Sequence, residues 1–170
     1  MATRSGSIDP GLVLFLARRE GIDEVNHALN HRSGLLGVSG TSADLREVLA
    51  AVDDGDEACR LAFEVFVRGV AELVAASTTT LGGLDCLVFT AGAGEGAPRL
   101  REAVTSRLGH LGAAIDPARN REAQPDAVIS HSDSAVRVWI LRAGEEMVIA
   151  RQVSEMLEAP GSRKSTTSIP

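Results

Sequence analysis

The segment Leu84-Asp-Cys-Leu-Val-Phe-Thr-Ala-Gly-Ala-Gly-Glu-Gly-Ala-Pro98 carries most of the information about the fold. Its apolar first half predicts a buried β-strand over residues 84–90, and Pro98 is placed to open an α-helix. Between them, Gly92, Gly94 and Gly96 leave backbone N–H groups uncovered near a helix N-terminus, where they attract phosphate. The segment therefore predicts a nucleotide site, with an ordinary strand-to-helix turn as the alternative. Its spacing is neither the G-x-G-x-x-G fingerprint nor a P-loop.

The composition is that of one folded domain. The chain has 170 residues, of which 44% are hydrophobic and 24% charged, so a real core is expected. A net charge of −6 without a basic patch argues against nucleic-acid binding. No apolar run is long enough for a bilayer and no secretory signal is visible, so we expect a cytoplasmic protein without a membrane partner. Cys59 and Cys86 lack metal-type spacing and are predicted to be buried thiols.

The rest of the chain alternates predicted helices with a few strands. Helices are expected over residues 10–20, 23–30, 56–78, 98–110 and 145–157, and a further helix is expected to follow Thr41-Ser42 and to carry Asp44, Leu45 and Arg46. The apolar, glycine-rich run at residues 33–40 is typical of a close-packed loop. A second convincing strand covers residues 136–141, and short strands are predicted at 113–115 and 127–129.

This inventory predicts an α/β fold in which helices pack on a small, mainly parallel sheet. Both strong strands lie in the second half of the chain, whereas parallel strands usually need several neighbours and helices on both faces. We therefore expect the sheet to lack strands that would complete it. The polar segment 159–170 is predicted to be a flexible tail.

Five segments, in the same order, resemble motifs of the acetate kinase family. They are Met1-Ala-Thr-Arg-Ser-Gly-Ser-Ile-Asp-Pro10, Ser33-Gly-Leu-Leu-Gly-Val-Ser-Gly40, Ser42-Ala-Asp-Leu-Arg46, Val88-Phe-Thr-Ala-Gly-Ala-Gly-Glu95 and Glu145-Glu-Met-Val-Ile-Ala150. The resemblance covers about residues 1–153. It implies a partial ribonuclease-H-like domain of the actin-like ATPase type, from the superfamily of acetate and sugar kinases, Hsp70 and actin.

The resemblance also implies an activity, namely direct phosphoryl transfer from ATP to acetate, which gives acetyl phosphate and ADP. The family uses Mg²⁺, with Mn²⁺ as an alternative ion, and its enzymes are usually homodimers. Complete members are more than twice this length, so residues 1–158 are identified as the C-terminal, nucleotide-binding part. We then expect the first strands of the domain, the catalytic histidines and aspartate, and the acetate pocket to lie outside this chain. The chain alone is expected to be inactive.

Two motifs supply candidate catalytic and adenosine-binding residues through this resemblance. Arg4 matches the catalytic arginine, which stabilises charge on the transferred phosphoryl group, although we expect the nearby Met1 to leave its loop unanchored. Asp44 matches the residue that accepts hydrogen bonds from the ribose. Leu45, where the family usually has Phe, and Arg46 would form part of the adenine pocket. The alternatives are a solvated arginine and ordinary first-turn helix residues.

The resemblance further implies residues that contact phosphate and metal. The family's Gly-Ile-Gly-Glu-Asn nucleotide loop corresponds to Gly92, Ala93, Gly94, Glu95 and Gly96. In this motif Gly96 lacks the asparagine amide, and Glu95 is either a ligand contact or a brace for the loop. Glu145 matches the Mg²⁺-binding glutamate, with a first-turn helix carboxylate as the alternative.

Three other interpretations remain open. The chain could be a non-catalytic nucleotide-binding or partner-binding remnant, whose exposed apolar sheet edge binds another polypeptide. It could equally be a sequence left by a frameshift, or a relative that acts on propionate or butyrate, because the acyl pocket lies elsewhere.

Overall fold

The computed structural model describes residues 1–158, so the tail predicted at 159–170 lies outside the described residues. Within residues 1–158 there are nine α-helices, which are Pro10–Glu20 (α1), Ile22–His31 (α2), Gly34–Ser39 (α3), Leu45–Asp53 (α4), Glu57–Leu81 (α5), Ala91–Gly96 (α6), Pro98–Arg107 (α7), Pro117–Glu122 (α8) and Glu145–Glu158 (α9). Three strands are described, which are Cys86–Phe89 (β1), Ala127–Val128 (β2) and Arg137–Ile140 (β3). None of the described helices is both long and apolar enough to cross a lipid bilayer.

Helix boundaries follow the capping signals in the sequence. The Asp9 carboxylate accepts a hydrogen bond from the Leu12 N–H at 2.9 Å, and Pro10 takes the first helical position of α1. Asp56 caps α5 in the same way, by accepting from the Cys59 N–H at 2.8 Å. These two helix starts are confirmed where they were predicted.

The three strands form one sheet in which β3 is central. It pairs in parallel with β1 and antiparallel with β2, so the α/β prediction is confirmed and the sheet is mixed. The antiparallel pair has a simple cause, because the eight residues between β2 and β3 are too few for a parallel crossover. The strand predicted at residues 113–115 is present only as two isolated bridges.

One face of the sheet is buried and the other is largely exposed. Leu87 and Phe89 of β1 lie in the core with the corresponding residues of β3 and the inner faces of α5 and α7. On the opposite face Cys86 is exposed and Val88 is 44% exposed. The prediction that Cys86 is buried is wrong, because adjacent strand residues point to opposite faces and Cys86 lies on the open one.

Two glycine-rich runs predicted as loops are short helices. Residues 34–39 form α3, which packs against α5, and residues 91–96 form α6 directly after β1. Glycine disfavours a helix because it loses much backbone entropy on folding. Both helices therefore depend on tertiary contacts rather than on local propensity.

The N-terminal residues are fixed against α3, so the prediction of an unanchored loop around Arg4 is wrong. The Ser33 N–H donates to the Thr3 carbonyl at 2.8 Å, and the Leu35 N–H donates to the Met1 carbonyl at 2.8 Å. Gly34 makes this approach feasible, since it has a φ of 64° and a Cβ there would lie 2.0 Å from the Met1 oxygen. Only glycine suits both requirements.

Replacing Gly34 with alanine tests this anchor. We expect Gly34→Ala to lower the free energy of unfolding by roughly 3 kcal/mol, because left-handed strain adds to the displacement of Met1 and the loss of its hydrogen bond. Gly40→Ala is the matched control, since Gly40 also has positive φ but a Cβ there meets nothing within 4 Å. The control should lose about 1 kcal/mol. Equal losses in urea denaturation would show that Met1 is not held at Gly34.

Candidate functional site

Two cavities meet at helix α6. The first, the α4–α6 cavity, has a volume of about 760 Å³ and lies between α6, the start of α4 and the first two residues of the chain. The second, the α6–α9 cavity, measures about 490 Å³ and lies between α6 and the start of α9. Gly92 lines both. A single bound molecule could therefore extend along α6 from one cavity into the other.

The α4–α6 cavity has mainly apolar walls with polar groups at the start of α4. Leu45, from α4, and Leu35, from α3, contribute aliphatic walls, and Ala93 contributes a methyl group from α6. Phe66, a half-buried residue of α5, adds an aromatic side chain to the same cavity. An apolar cavity with a few polar groups suits a heteroaromatic ring. Phe66 was not predicted as a site residue, because in the sequence it is one of the apolar stripe of a long helix.

Asp44 and Arg46 form a close ion pair at this cavity. The guanidinium Nη2 lies 2.5 Å from Asp44 Oδ2, and Nε lies 3.1 Å from Oδ1. Asp44 Oδ1 also accepts from the Arg46 N–H at 2.8 Å and so caps α4. These contacts, first the side-chain hydrogen bond and then the backbone one, lower the pKa of Asp44 to about 2. The carboxylate is thus ionised at neutral pH and remains an acceptor beside the cavity.

The three glycines of α6 differ in their surroundings. A Cβ on Gly92 or Gly96 would meet nothing within 4 Å, so both positions present bare backbone to open space. A Cβ on Gly94 would lie 3.1 Å from the backbone carbon of Phe89, which is tight packing against β1. Gly92 and Gly96 line the α4–α6 cavity, whereas Gly94 lines neither cavity. In the predicted glycine motif, Gly92 and Gly96 therefore leave the backbone open to the cavity, and Gly94 allows α6 to pack closely on β1.

Glu95 connects α6 to the segment before α9. Its Oε1 accepts hydrogen bonds from the Ala91 N–H at 3.0 Å and from the Ala143 N–H at 2.9 Å. Ala91 has a φ of 58°, a left-handed conformation that costs an L-residue about 1–2 kcal/mol. The sequence left the role of Glu95 open between ligand contact and brace. In the structure it braces the start of α6 and holds the residue two positions before Glu145.

Glu145 lines the α6–α9 cavity together with Glu146 and Glu95. No cluster of three His, Cys, Asp or Glu side chains suited to a metal occurs among residues 1–158. One or two carboxylates completed by phosphate oxygens and water are, however, a usual environment for Mg²⁺. The residues present therefore fit Mg²⁺ that arrives with a nucleotide.

Arg4 is not part of either cavity. Its side chain is exposed, although its neighbours Met1 and Ala2 line the α4–α6 cavity. Another arginine, Arg101, contacts the site from the protein interior and was missed from the sequence. It is 1% exposed and donates to the carbonyls of Gly94 and Glu95. The available signal was a charged residue directly beside the inward-facing Leu100 of α7.

Comparison with known proteins adds independent information. The family model described as "Acetokinase family" matches residues 1–151. The acetate kinase of Gloeobacter violaceus is 43% identical over 154 residues, which are 89% of this chain and 38% of that protein. The acetate kinase of Synechocystis is 43% identical over 168 residues, which are 98% of this chain and 41% of that protein. The chain thus spans about 40% of the length of these curated relatives.

Solved structures give the same picture. The acetate kinase of Porphyromonas gingivalis has a TM-score of 0.84 at 37% identity, over 93% of this chain and 40% of that one. The acetate kinase of Entamoeba histolytica has a TM-score of 0.85 at 32% identity, over 91% and 42%. A propionate kinase of Francisella tularensis has a TM-score of 0.82 at 36% identity, over 89% and 39%.

Substitutions of Glu95 test its role as a brace. We expect Glu95→Ala to lower the free energy of unfolding by about 2 kcal/mol, because two backbone N–H groups lose their acceptor. Glu95→Gln keeps a carbonyl oxygen at the same place and should lose less than half as much in urea denaturation. If the glutamine variant were as unstable as the alanine variant, the charge of Glu95 and not its acceptor oxygen would be what matters.

The Asp44–Arg46 pair predicts a defined pH dependence. The folded pKa of Asp44, about 2, lies below the unfolded value of about 3.9. The stabilising contribution of the ionised carboxylate is therefore complete above about pH 4 and is lost as the pH falls towards 2. Wild-type protein should be more stable than Asp44→Asn at pH 6, and the difference should shrink as the pH falls and disappear only below the folded pKa of about 2. A difference in unfolding midpoint that does not change with pH would contradict this account.

Proposed function

Because the chain belongs to the acetokinase family, whose solved members have the actin-like ATPase fold, we propose that it supplies the nucleotide-binding and Mg²⁺-binding part of an acetate kinase. Such an enzyme transfers a phosphoryl group between ATP and acetate. The observation that supports this most directly is the position of Gly92, where the apolar α4–α6 cavity joins the carboxylate-lined α6–α9 cavity. The base of a nucleotide requires apolar surroundings, and its terminal phosphates require a place where a metal ion can be held by carboxylates.

Each candidate residue then has a task in binding. The adenine ring would lie among Leu45, Ala93 and Phe66, and the Asp44 carboxylate would accept hydrogen bonds from the ribose hydroxyls. The phosphates would pass the bare backbone at Gly92. Glu145 would hold Mg²⁺ in the α6–α9 cavity, and the ion would supply positive charge to the phosphate oxygens.

Arg4 would act at the rim of this site. A guanidinium can bind two phosphoryl oxygens at once and offset the charge that develops during transfer. The backbone around Arg4 is fixed by hydrogen bonds to α2 and α3, including the Ser5 N–H to the Leu29 carbonyl at 3.0 Å. We propose that this exposed side chain meets a phosphoryl group that extends beyond the cavities.

The remaining catalytic parts would come from the portion of the acetokinase fold that this chain does not span. The open face of the sheet exposes Val88, and α9 exposes most of its apolar side chains, including Ile149 and Leu157. Exposed apolar area of this kind is typical of a contact surface. We propose that the part of the acetokinase fold that this chain does not span covers these faces and brings the acyl site. The assembled enzyme would be a cytoplasmic homodimer.

The acyl substrate is the least constrained element of the proposal. Neither cavity includes a residue that we assign to the acyl group, and a propionate kinase is as similar in fold as the acetate kinases. Acetate is favoured because the curated relatives compared above are acetate kinases. Propionate and butyrate are the alternatives.

Nucleotide binding is the first test. We expect the 170-residue chain to bind ADP with Mg²⁺ in titration calorimetry, and Gly92→Leu to weaken binding at least tenfold because its side chain enters both cavities. Gly109→Leu is the matched control, since a Cβ there also meets nothing within 4 Å but Gly109 lines neither cavity. Its affinity should equal that of wild type. Absence of ADP binding by the wild-type chain would refute the proposal.

Complementation separates the enzyme hypothesis from a non-catalytic remnant. The chain alone should form no acetyl phosphate. Addition of the part of the Synechocystis acetate kinase that this chain does not match should restore turnover. Binding without turnover in the mixture would instead support a non-catalytic nucleotide-binding role, and turnover by the chain alone would remove the need for a partner.

A further inference from the structure

Arg101 is the most completely buried charged residue among those described, and its hydrogen bonds are directed at the candidate site. Its side chain lies on the inner face of α7, where the residue is 1% exposed. Nη1 donates to the Gly94 carbonyl at 2.9 Å and to the Glu95 carbonyl at 2.8 Å. On its other side, Nε donates to Asn120 Oδ1 and Nη2 donates to the Asn120 carbonyl, both at 2.7 Å.

All four acceptors are neutral oxygens. Removing a guanidinium from water is costly unless its donors are satisfied, and burial accordingly lowers the pKa of Arg101. The Gly94 and Glu95 carbonyls belong to the last turn of α6, whose carbonyls lack partners within the helix and carry partial negative charge. A cation there stabilises the helix end. The planar fork of arginine reaches α6 and Asn120 together, which a single ammonium group cannot do.

Asn120 fixes the far side of this arrangement. It is fully buried within α8, and its Nδ2 donates to the Pro98 carbonyl at 2.8 Å. The Pro98 carbonyl belongs to the first residue of α7, the helix that carries Arg101. Helices α6, α7 and α8 are therefore joined through one guanidinium and one amide, both enclosed in the protein.

We infer that Arg101 is a positioning residue for the nucleotide, which fixes α6 through the Gly94 and Glu95 carbonyls and so keeps Gly92 and Gly96 facing the α4–α6 cavity. The inference rests on the proposed nucleotide-binding function. Arg101 itself lines neither cavity and acts through the backbone of α6. Its loss should therefore alter the local order of α6 and the affinity for nucleotide more than the stability of the whole chain.

The test compares Arg101→Lys with Arg107→Lys in the full chain. Both residues lie on α7, but Arg107 forms an exposed ion pair with Glu64 at 2.6 Å. Arg101→Lys should weaken ADP binding about tenfold, as expected when the ammonium group keeps one hydrogen bond to α6 and the other, from a charged donor, is lost. Backbone amides of residues 91–96 should exchange hydrogen faster in the unliganded protein, whereas those of α4 and α5 should not. Arg107→Lys should match wild type in both measurements.

A milder variant keeps the inference testable if Arg101→Lys does not fold. Asn120→Ala removes the acceptor of Nε but leaves the charge and the contacts to α6, so its effects on affinity and on exchange in α6 should be smaller in size and the same in direction. A variant that lowers the unfolding midpoint while α6 exchange and ADP affinity stay at wild-type values would overturn the inference. If the wild-type chain binds no ADP, the proposed function fails, and exchange in α6 alone decides whether Arg101 positions that helix.

Discussion

The candidate site depends on a helix that is not stable by itself. Helix α6 has six residues, three of which are glycine, and each glycine disfavours a helix by about 1 kcal/mol relative to alanine. So short a helix does not form alone in water. Three contacts hold it, which are the close packing of Gly94 on Phe89, the bonds from Arg101 to its last carbonyls, and the Glu95 carboxylate at its first N–H. The glycines thus leave the backbone of α6 open to the cavities, and the surrounding residues hold the helix in place.

The same division occurs at the N-terminal segment. Gly34 and Gly37 weaken α3 as a helix, yet the missing Cβ of Gly34 lets the Met1 carbonyl approach and accept the Leu35 N–H. The exposed Arg4 side chain consequently extends from a backbone held in place. In both α3 and α6, glycine lowers the stability of the isolated helix but allows a close backbone contact. Both helices lie at the edge of the α4–α6 cavity.

Features set by neighbouring residues could be predicted from the sequence, whereas features set by distant contacts could not. Asp9 and Asp56 were identified as caps because a carboxylate and the N–H it accepts lie within one turn. Helix α6 was predicted as a loop because the contacts that hold it come from elsewhere in the chain. Phe66 and Arg101 were missed for the same reason, since a residue in the stripe of a long helix gives no sign of which cavity or carbonyl it meets. The resemblance located the glycine motif and Glu145, and the structure brought them together at α6.

The exposed apolar surface of the sheet and the candidate site lie on different sides of β1. Cys86 and Val88 lie on the sheet face opposite to the core, whereas Phe89 and Leu87 on the other face pack towards the helices next to the cavities. The groups that hold α6 are all within residues 89–143 and need no contribution from the open face. The contacts that hold α6 therefore do not depend on what covers the open face, whereas the phosphoryl transfer that we propose also requires an acyl site. For this reason we expect nucleotide binding and turnover to respond differently when another part of the fold covers the open face.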